Sequence, residues 1–166
     1  MQDAGDTVLL RYFGLAIYEI EVLYDSLSRV FSVQEEHEDF DPGSSYVSCV
    51  EIEFPVPFNE SFFLLIGLDT WNRIKGVIKE MKRRRGGKGI RVLLAFRGIS
   101  TPSNMKLIFS LQSGKVSEFN NAIERIEYLV DVIPFQIGDV GEGVDKIVYA
   151  YDELSFKWVP HVSPQN

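Results

Sequence analysis

The stretch from Asp69 to Gly87 limits what this chain can fold into more than any other. Trp71, Ile74, Ile78 and Met81 recur at helical spacing, Asp69 stands where a side-chain oxygen can cap the first turn, and Gly86-Gly87 supplies a stop. The spacing predicts a helix over about 69–85. A second stripe, Val116, Phe119, Ile123, Ile126 and Val130, begins near Ser113-Gly114 and predicts a helix over about 114–131, with Pro134 barring its extension. Each helix has one apolar face and so requires a sheet or another helix to cover it.

Strand signals flank both helices. Tyr46, Ser48, Val50, Ile52 and Phe54 alternate with Val47, Cys49, Glu51 and Glu53, and Pro55 and Pro57 end the run. Phe62 to Ile66 is apolar at every position and reads as a strand covered on both faces. Ile90 to Phe96 reads as a buried strand, residues 98–104 as a turn-rich loop, and Met105, Leu107, Phe109 and Leu111 as the inner face of its partner. This order suggests a weak repeat of about 42 residues, with Phe54 aligned to Phe96 and Ile74 to Val116.

The chain ends suggest hairpins. From Tyr18 to Val33, helical spacing (Ile17, Ile20, Tyr24, Leu27, Phe31) competes with strand alternation. A turn at Asp25-Ser26 pairs Tyr24 with Leu27, Val22 with Arg29 and Ile20 with Phe31 on one apolar face, which favours strands over a helix. A turn at Asp152-Glu153 likewise pairs Tyr151 with Leu154, Tyr149 with Phe156 and Ile147 with Trp158. The two turns share a pattern, Y-D-S-L-S and Y-D-E-L-S. The expected fold is therefore α+β, a single domain over residues 1–166. It has a mostly antiparallel sheet, two helices packed on one face, and hairpins at both ends.

Charge is distributed unevenly. Lys79 to Arg91 holds seven of the seventeen basic residues and one acid, Glu80, so this segment carries +6 in a chain of net charge −7. Lys82, Arg83, Arg84, Arg85, Lys88 and Arg91 beside Gly86, Gly87 and Gly89 could meet phosphates of a nucleic acid or polyphosphate. Basic residues in a last helical turn also complement the helix dipole, so part of the run is helix-ending chemistry. The G-G-K-G stretch lacks the Ser or Thr after Lys88 that a phosphate-binding P-loop uses to hold its metal.

An acidic loop, Glu35, Glu36, His37, Glu38, Asp39 and Asp41, opposes that run in sign; it lacks the glycine and distal Glu of a Ca²⁺ hand, and no metal or other cofactor is expected. The two charge runs could attract each other between subunits or steer a partner. Tyr149, Tyr151, Phe156 and Trp158 form an aromatic hairpin face that could supply the apolar part of such an interface, although such faces more often belong to a core.

No catalytic set is expected. Cys49 lies mid-strand, His37 and His161 are the only histidines, and no nucleophile elbow is present. The outward Glu51 and Glu53 read as solvated. The single cysteine, the absence of a long apolar run and the polar start point to a soluble cytoplasmic protein. The functional expectation is a non-enzymatic interaction module, self-associating or binding a protein partner. Nucleic-acid or polyphosphate binding through residues 82–91 is the alternative, and an enzyme without a recognisable motif is third.

Overall fold

The computed structural model describes residues 6–39, 43, 46–97, 105–112, 114–137 and 144–164. Seven strands form one sheet: β1 Thr7–Phe13, β2 Ser32–His37, β3 Ser48–Phe54, β4 Ile90–Arg97, β5 Lys106–Leu111, β6 Val144–Asp152 and β7 Lys157–Pro164. Their order is β2-β1-β3-β4-β5-β6-β7. Parallel pairs (β1 with β2, β3 with β4, β5 with β6) alternate with antiparallel pairs (β1 with β3, β4 with β5, β6 with β7), so the α+β fold has a mixed sheet.

Parallel neighbours need crossovers, and the helices supply them. Helix α1 (Ile17–Ser28) joins β1 to β2. Helices α2 (Glu60–Ile66) and α3 (Leu68–Arg85) join β3 to β4. Helix α4 (Val116–Glu124), a 3-10 stretch Ile126–Val130 and α5 (Ile133–Ile137) join β5 to β6. Leu23 and Leu27, Trp71, Ile74 and Ile78, and Phe119 and Ile123 share one core with Leu10, Val50, Ile52, Leu94, Phe109 and Tyr149, which places all three crossovers on one face. The strand directions then give the third crossover the opposite hand to the first two. At least one therefore takes the uncommon left-handed path.

The predicted N-terminal hairpin is a helix, α1. Its buried positions are Glu19, Leu23, Ser26 and Leu27, a helical stripe that includes two polar residues, while Ile17, Tyr18 and Tyr24 are exposed. Ranking by apolarity missed it because Glu19 is neutralised inside the protein. Ala16 N donates to Glu19 Oε1 at 2.8 Å, and Arg85 donates to both carboxylate oxygens at 2.6 and 2.8 Å. The partner of β2 is the unanticipated β1.

Phe62 to Ile66 is likewise helical rather than extended, because Asn59 Oδ1 accepts from Phe62 N at 3.0 Å and nucleates α2. Gly67, at φ 80°, ends α2 and opens α3, a turn that a residue with a Cβ would strain to make. With this segment helical, the proposed repeat of about 42 residues dissolves. The expected helix over 114–131 stops being α-helical at Arg125 and continues as the 3-10 stretch. The predicted loop at 98–104 lies outside the described residues.

The C-terminal hairpin is present with a different register. Tyr151 pairs with Trp158, Tyr149 with Pro160 and Ile147 with Val162, around a four-residue loop, Glu153 to Phe156. Asp152 holds that loop by accepting from Leu154 N at 3.1 Å and Ser155 Oγ at 2.7 Å. Much of the core is aromatic: Phe54 stacks on Phe96 at 4.9 Å, and Phe58 and Phe62 meet Phe96 edge-on.

The sheet's other face carries no helix among the described residues. Glu51 and Glu53, expected to be solvated, sit there in an ionic net. Arg11 reaches Glu36 at 2.8 Å and Glu51 at 3.4 Å, and Glu53 meets Lys106 and Arg97. Burial pushes the Glu51 carboxyl up. Burial also opposes the charge of Glu53, but Lys106, with Arg11 and Arg97, holds it below the usual carboxylate range.

Candidate functional site

Most of the basic run has partners within the chain. Arg85 is built into the fold by Glu19, Ser48 Oγ at 2.7 Å, Met81 O at 3.0 Å and Gly14 O at 3.1 Å. Lys82 is fully buried, with Nζ 2.9 Å from Gly86 O and 5.8 Å from the centre of the Phe119 ring, and burial lowers its pKa. Lys79 pairs with Glu124. Arg83 and Arg84 are exposed but share Glu80, whose carboxyl their hydrogen bonds pull down to about 2. Arg91 leans on Tyr46, with Nη1 3.3 Å from its hydroxyl. Of Lys88 only the backbone, in a 3-10 turn at Gly86–Lys88, is described.

The acidic segment divides in the fold. Glu35 and Glu36 belong to β2, Glu36 pairing with Arg11; Glu38 and Asp39 follow it; Asp41 lies outside the described residues. Glu38 N donates to Tyr12 O at 2.9 Å, which places Glu38 at the end of β1. Burial, and then the Glu38 charge, push the Cys49 thiol up to about 12, while Arg91 acts in the opposite sense. Acidic and basic runs thus approach each other around Cys49 within one chain. Among the described residues no cluster of His, Cys, Asp and Glu suits a metal ion, and no helix is long and apolar enough to cross a membrane.

The aromatic hairpin face is core, not an exposed surface. Tyr149 and Trp158 are buried, Trp158 Nε1 donates to Ala122 O at 2.9 Å, and Tyr149 Oη meets Gln136 Oε1 at 2.7 Å. Tyr151 is partly buried against the same core. Only Phe156 is exposed, because it belongs to the loop and not to the strand.

A surface that the sequence did not single out lies at the α2–α3 junction and the 3-10 stretch. One groove, of about 450 Å³, runs between Phe63, Leu64, Leu68 and Trp71 on one side and Tyr128 and Val130 on the other, with Glu60, Glu127 and Asp131 at its rim. A second, of about 510 Å³, lies between Tyr128, Leu129 and Val132 and the loop residue Phe156 with Trp158 of β7, lined also by Arg125 and Lys157. Tyr128 lines both. Leu64 is 77% exposed, Leu68 72%, Tyr128 73% and Phe156 51%, a concentration of apolar surface that a folded chain seldom leaves to water.

The local architecture fixes this surface. Glu127 is tied down by Trp71 Nε1 at 2.5 Å and by Lys75 at 2.9 Å, which docks the 3-10 stretch on α3 and leaves the next residue, Tyr128, outward. Phe156 has φ 57°, an unfavourable conformation for an aromatic residue, and Arg125 Nη1 holds it by donating to its carbonyl at 2.8 Å. The left-handed residue closes the four-residue hairpin loop just before β7 and presents the Phe156 ring at the surface.

Compared with known protein families, curated protein sequences and solved structures, the chain matches none.

Proposed function

We propose that this protein is a non-enzymatic interaction module that docks another protein surface on the two grooves flanking Tyr128. One observation carries the reading: two adjoining apolar grooves share an exposed tyrosine and are rimmed by charge. Interface centres favour this composition, with aromatic anchors in apolar pockets and polar residues at the edge. The groups available for nucleophilic chemistry support the same reading. Cys49 is buried with its thiol pushed up to about 12, and His37 on β2 and His161 on β7 stand at opposite edges of the sheet. Lys79, Lys82 and Arg85 of the basic run expected as a binding patch anchor α3, and Tyr149 and Trp158 of the aromatic hairpin are core, so this reading moves docking to the apolar grooves.

A photoreactive phenylalanine analogue at position 128, with Ser110 on the helix-free sheet face as the control position, tests this in cells. Protein adducts specific to position 128 support the module. Equal adducts at both positions, or none at 128, refute it.

A further inference from the structure

We infer that the occupant of these grooves is a second copy of this chain, docked about a two-fold axis that passes beside Tyr128. The inference rests on the interaction reading above and adds the identity of the partner.

Charge complementarity selects this partner. Lys75 already neutralises Glu127, so the first groove keeps Glu60 and Asp131, which form no ion pair among the described residues. The second groove carries Arg125 and Lys157, likewise without an acidic partner among them. Two acids stand on one side of the shared tyrosine and two bases on the other. A two-fold rotation beside that tyrosine lays the acidic groove of each copy on the basic groove of the other, so both charge contacts form twice and the apolar floors close on each other. A head-on contact between like grooves opposes charges of one sign, which fixes the register.

The grooves supply a substantial part of the area a dimer needs. Tyr128 and Phe156 are 73% and 51% exposed, and at about 200 Å² a ring they present roughly 250 Å² before Leu64, Leu68 and Val132 of the same grooves are included. A stable interface takes about 800 Å² from each partner. In this dimer the apolar floors supply affinity, and the exposed charges set orientation.

Sedimentation and light scattering of the purified chain across the micromolar range test the inference, with Asp131→Lys, Lys157→Glu and their combination as variants. These positions are exposed, so folding, checked by circular dichroism, is retained. The expected result is a dimer whose dissociation constant rises by about tenfold or more in each single variant, since each contact occurs twice, and returns to near the starting value in the combination. Cross-links from position 128 to a second copy of the chain should accompany it. A monomer at every concentration, or a dimer indifferent to all three variants, overturns the inference. If the monomer nevertheless gives position-128 adducts with a different protein, self-association alone has failed; if it gives none, the interaction reading has failed with it.

Discussion

Glu19→Ala removes one half of a nearly buried ion pair and is expected to lower stability by about 3–5 kcal/mol. The carboxylate is 1% exposed and the Arg85 side chain 13%. Arg85 makes five hydrogen bonds, two to Glu19 and three to Ser48 Oγ, Met81 O and Gly14 O. The variant leaves the guanidinium with neutral acceptors only and strips Ala16 N of its side-chain partner. With a urea slope of about 2 kcal/mol per molar, the unfolding midpoint should fall by about 1.5–2.5 M. Glu21→Ala, on the exposed side of the same helix, is the control and should not move it. A fall below about 0.5 M for Glu19→Ala would refute the view that this pair joins α1, α3 and the β1–β3 end of the sheet.

Acid provides a second readout of the same pair. Burial opposes the charge of Glu19, but Arg85 and the Ala16 N–H outweigh it and hold the carboxyl below its ordinary range. A group whose folded pKa is depressed stabilises at pH values above its unfolded pKa, and that contribution is lost as pH falls through the folded value. The gap between wild type and Glu19→Gln should therefore be full at neutral pH and narrow in acid. The pair Glu19→Leu with Arg85→Met leaves neither charge stranded, so its cost should be less than the sum of the two single changes. Additivity of the two would contradict direct coupling.

Four further outcomes can be checked separately. Trp158→Ala should lose about 3–5 kcal/mol in a thermal or urea melt, since it empties a core position and removes the Nε1 bond to Ala122 O; a dimer weakened at unchanged stability would show that Trp158 faces a partner instead. Phe156→Gly relieves a left-handed aromatic while giving up partial burial, so stability should move by less than about 1 kcal/mol while self-association weakens; a large loss of stability would mean the ring is needed for folding. Cys49 should resist thiol reagents at pH 8 until the chain is unfolded, because its thiol is buried and pushed up to about 12, and prompt labelling of the native protein contradicts this. Gly14→Ala should destabilise by about 1–3 kcal/mol, its Cβ falling 2.7 Å from Val47 O at φ 67°, whereas Gly76→Ala inside α3 meets nothing within 4 Å and should stabilise by about 0.5–1 kcal/mol; melts that rank the two the other way contradict this reading of the backbone.

Legibility followed locality. Helix α3 could be read because its stripe, its acidic first turn and its glycine stop all lie within its own residues. Strands β3, β4 and β5 could be read from alternation or continuous apolarity, and the α+β class follows from these elements. Helix α1 could not, because its buried face includes a glutamate whose partner lies 66 residues away, and no window around Glu19 contains Arg85. The C-terminal hairpin shows a gentler failure. Its register moved by four residues, an even number, so Tyr149, Tyr151 and Trp158 stayed on the expected face although every partner changed. The shared pentapeptide demonstrates the same limit: Tyr24 to Ser28 ends a helix, while Tyr151 to Ser155 turns a hairpin. Asp152 makes the turn bonds that Asp25, paired with Arg29 and Arg73, does not.

The candidate site was hidden by the same dependence on distant residues, with one clue left in the open. Five consecutive apolar residues from Phe62 to Ile66 can all be buried in a strand covered on both faces, but not in a helix lying on a sheet, since a helix turns some of them outward. Once Asn59 caps this segment as α2, Leu64 and Leu65 must face away from the core, and Leu68 across Gly67 joins them. The helical assignment alone therefore implies uncovered leucines beside Trp71, and the 3-10 stretch docked through Glu127 adds Tyr128 to them. By contrast, the charge run that stood out in the sequence is mostly spent on internal partners, and its two exposed arginines already share Glu80. Apolar groups left without cover after folding, more than charge density along the chain, are the ground for the docking surface proposed above.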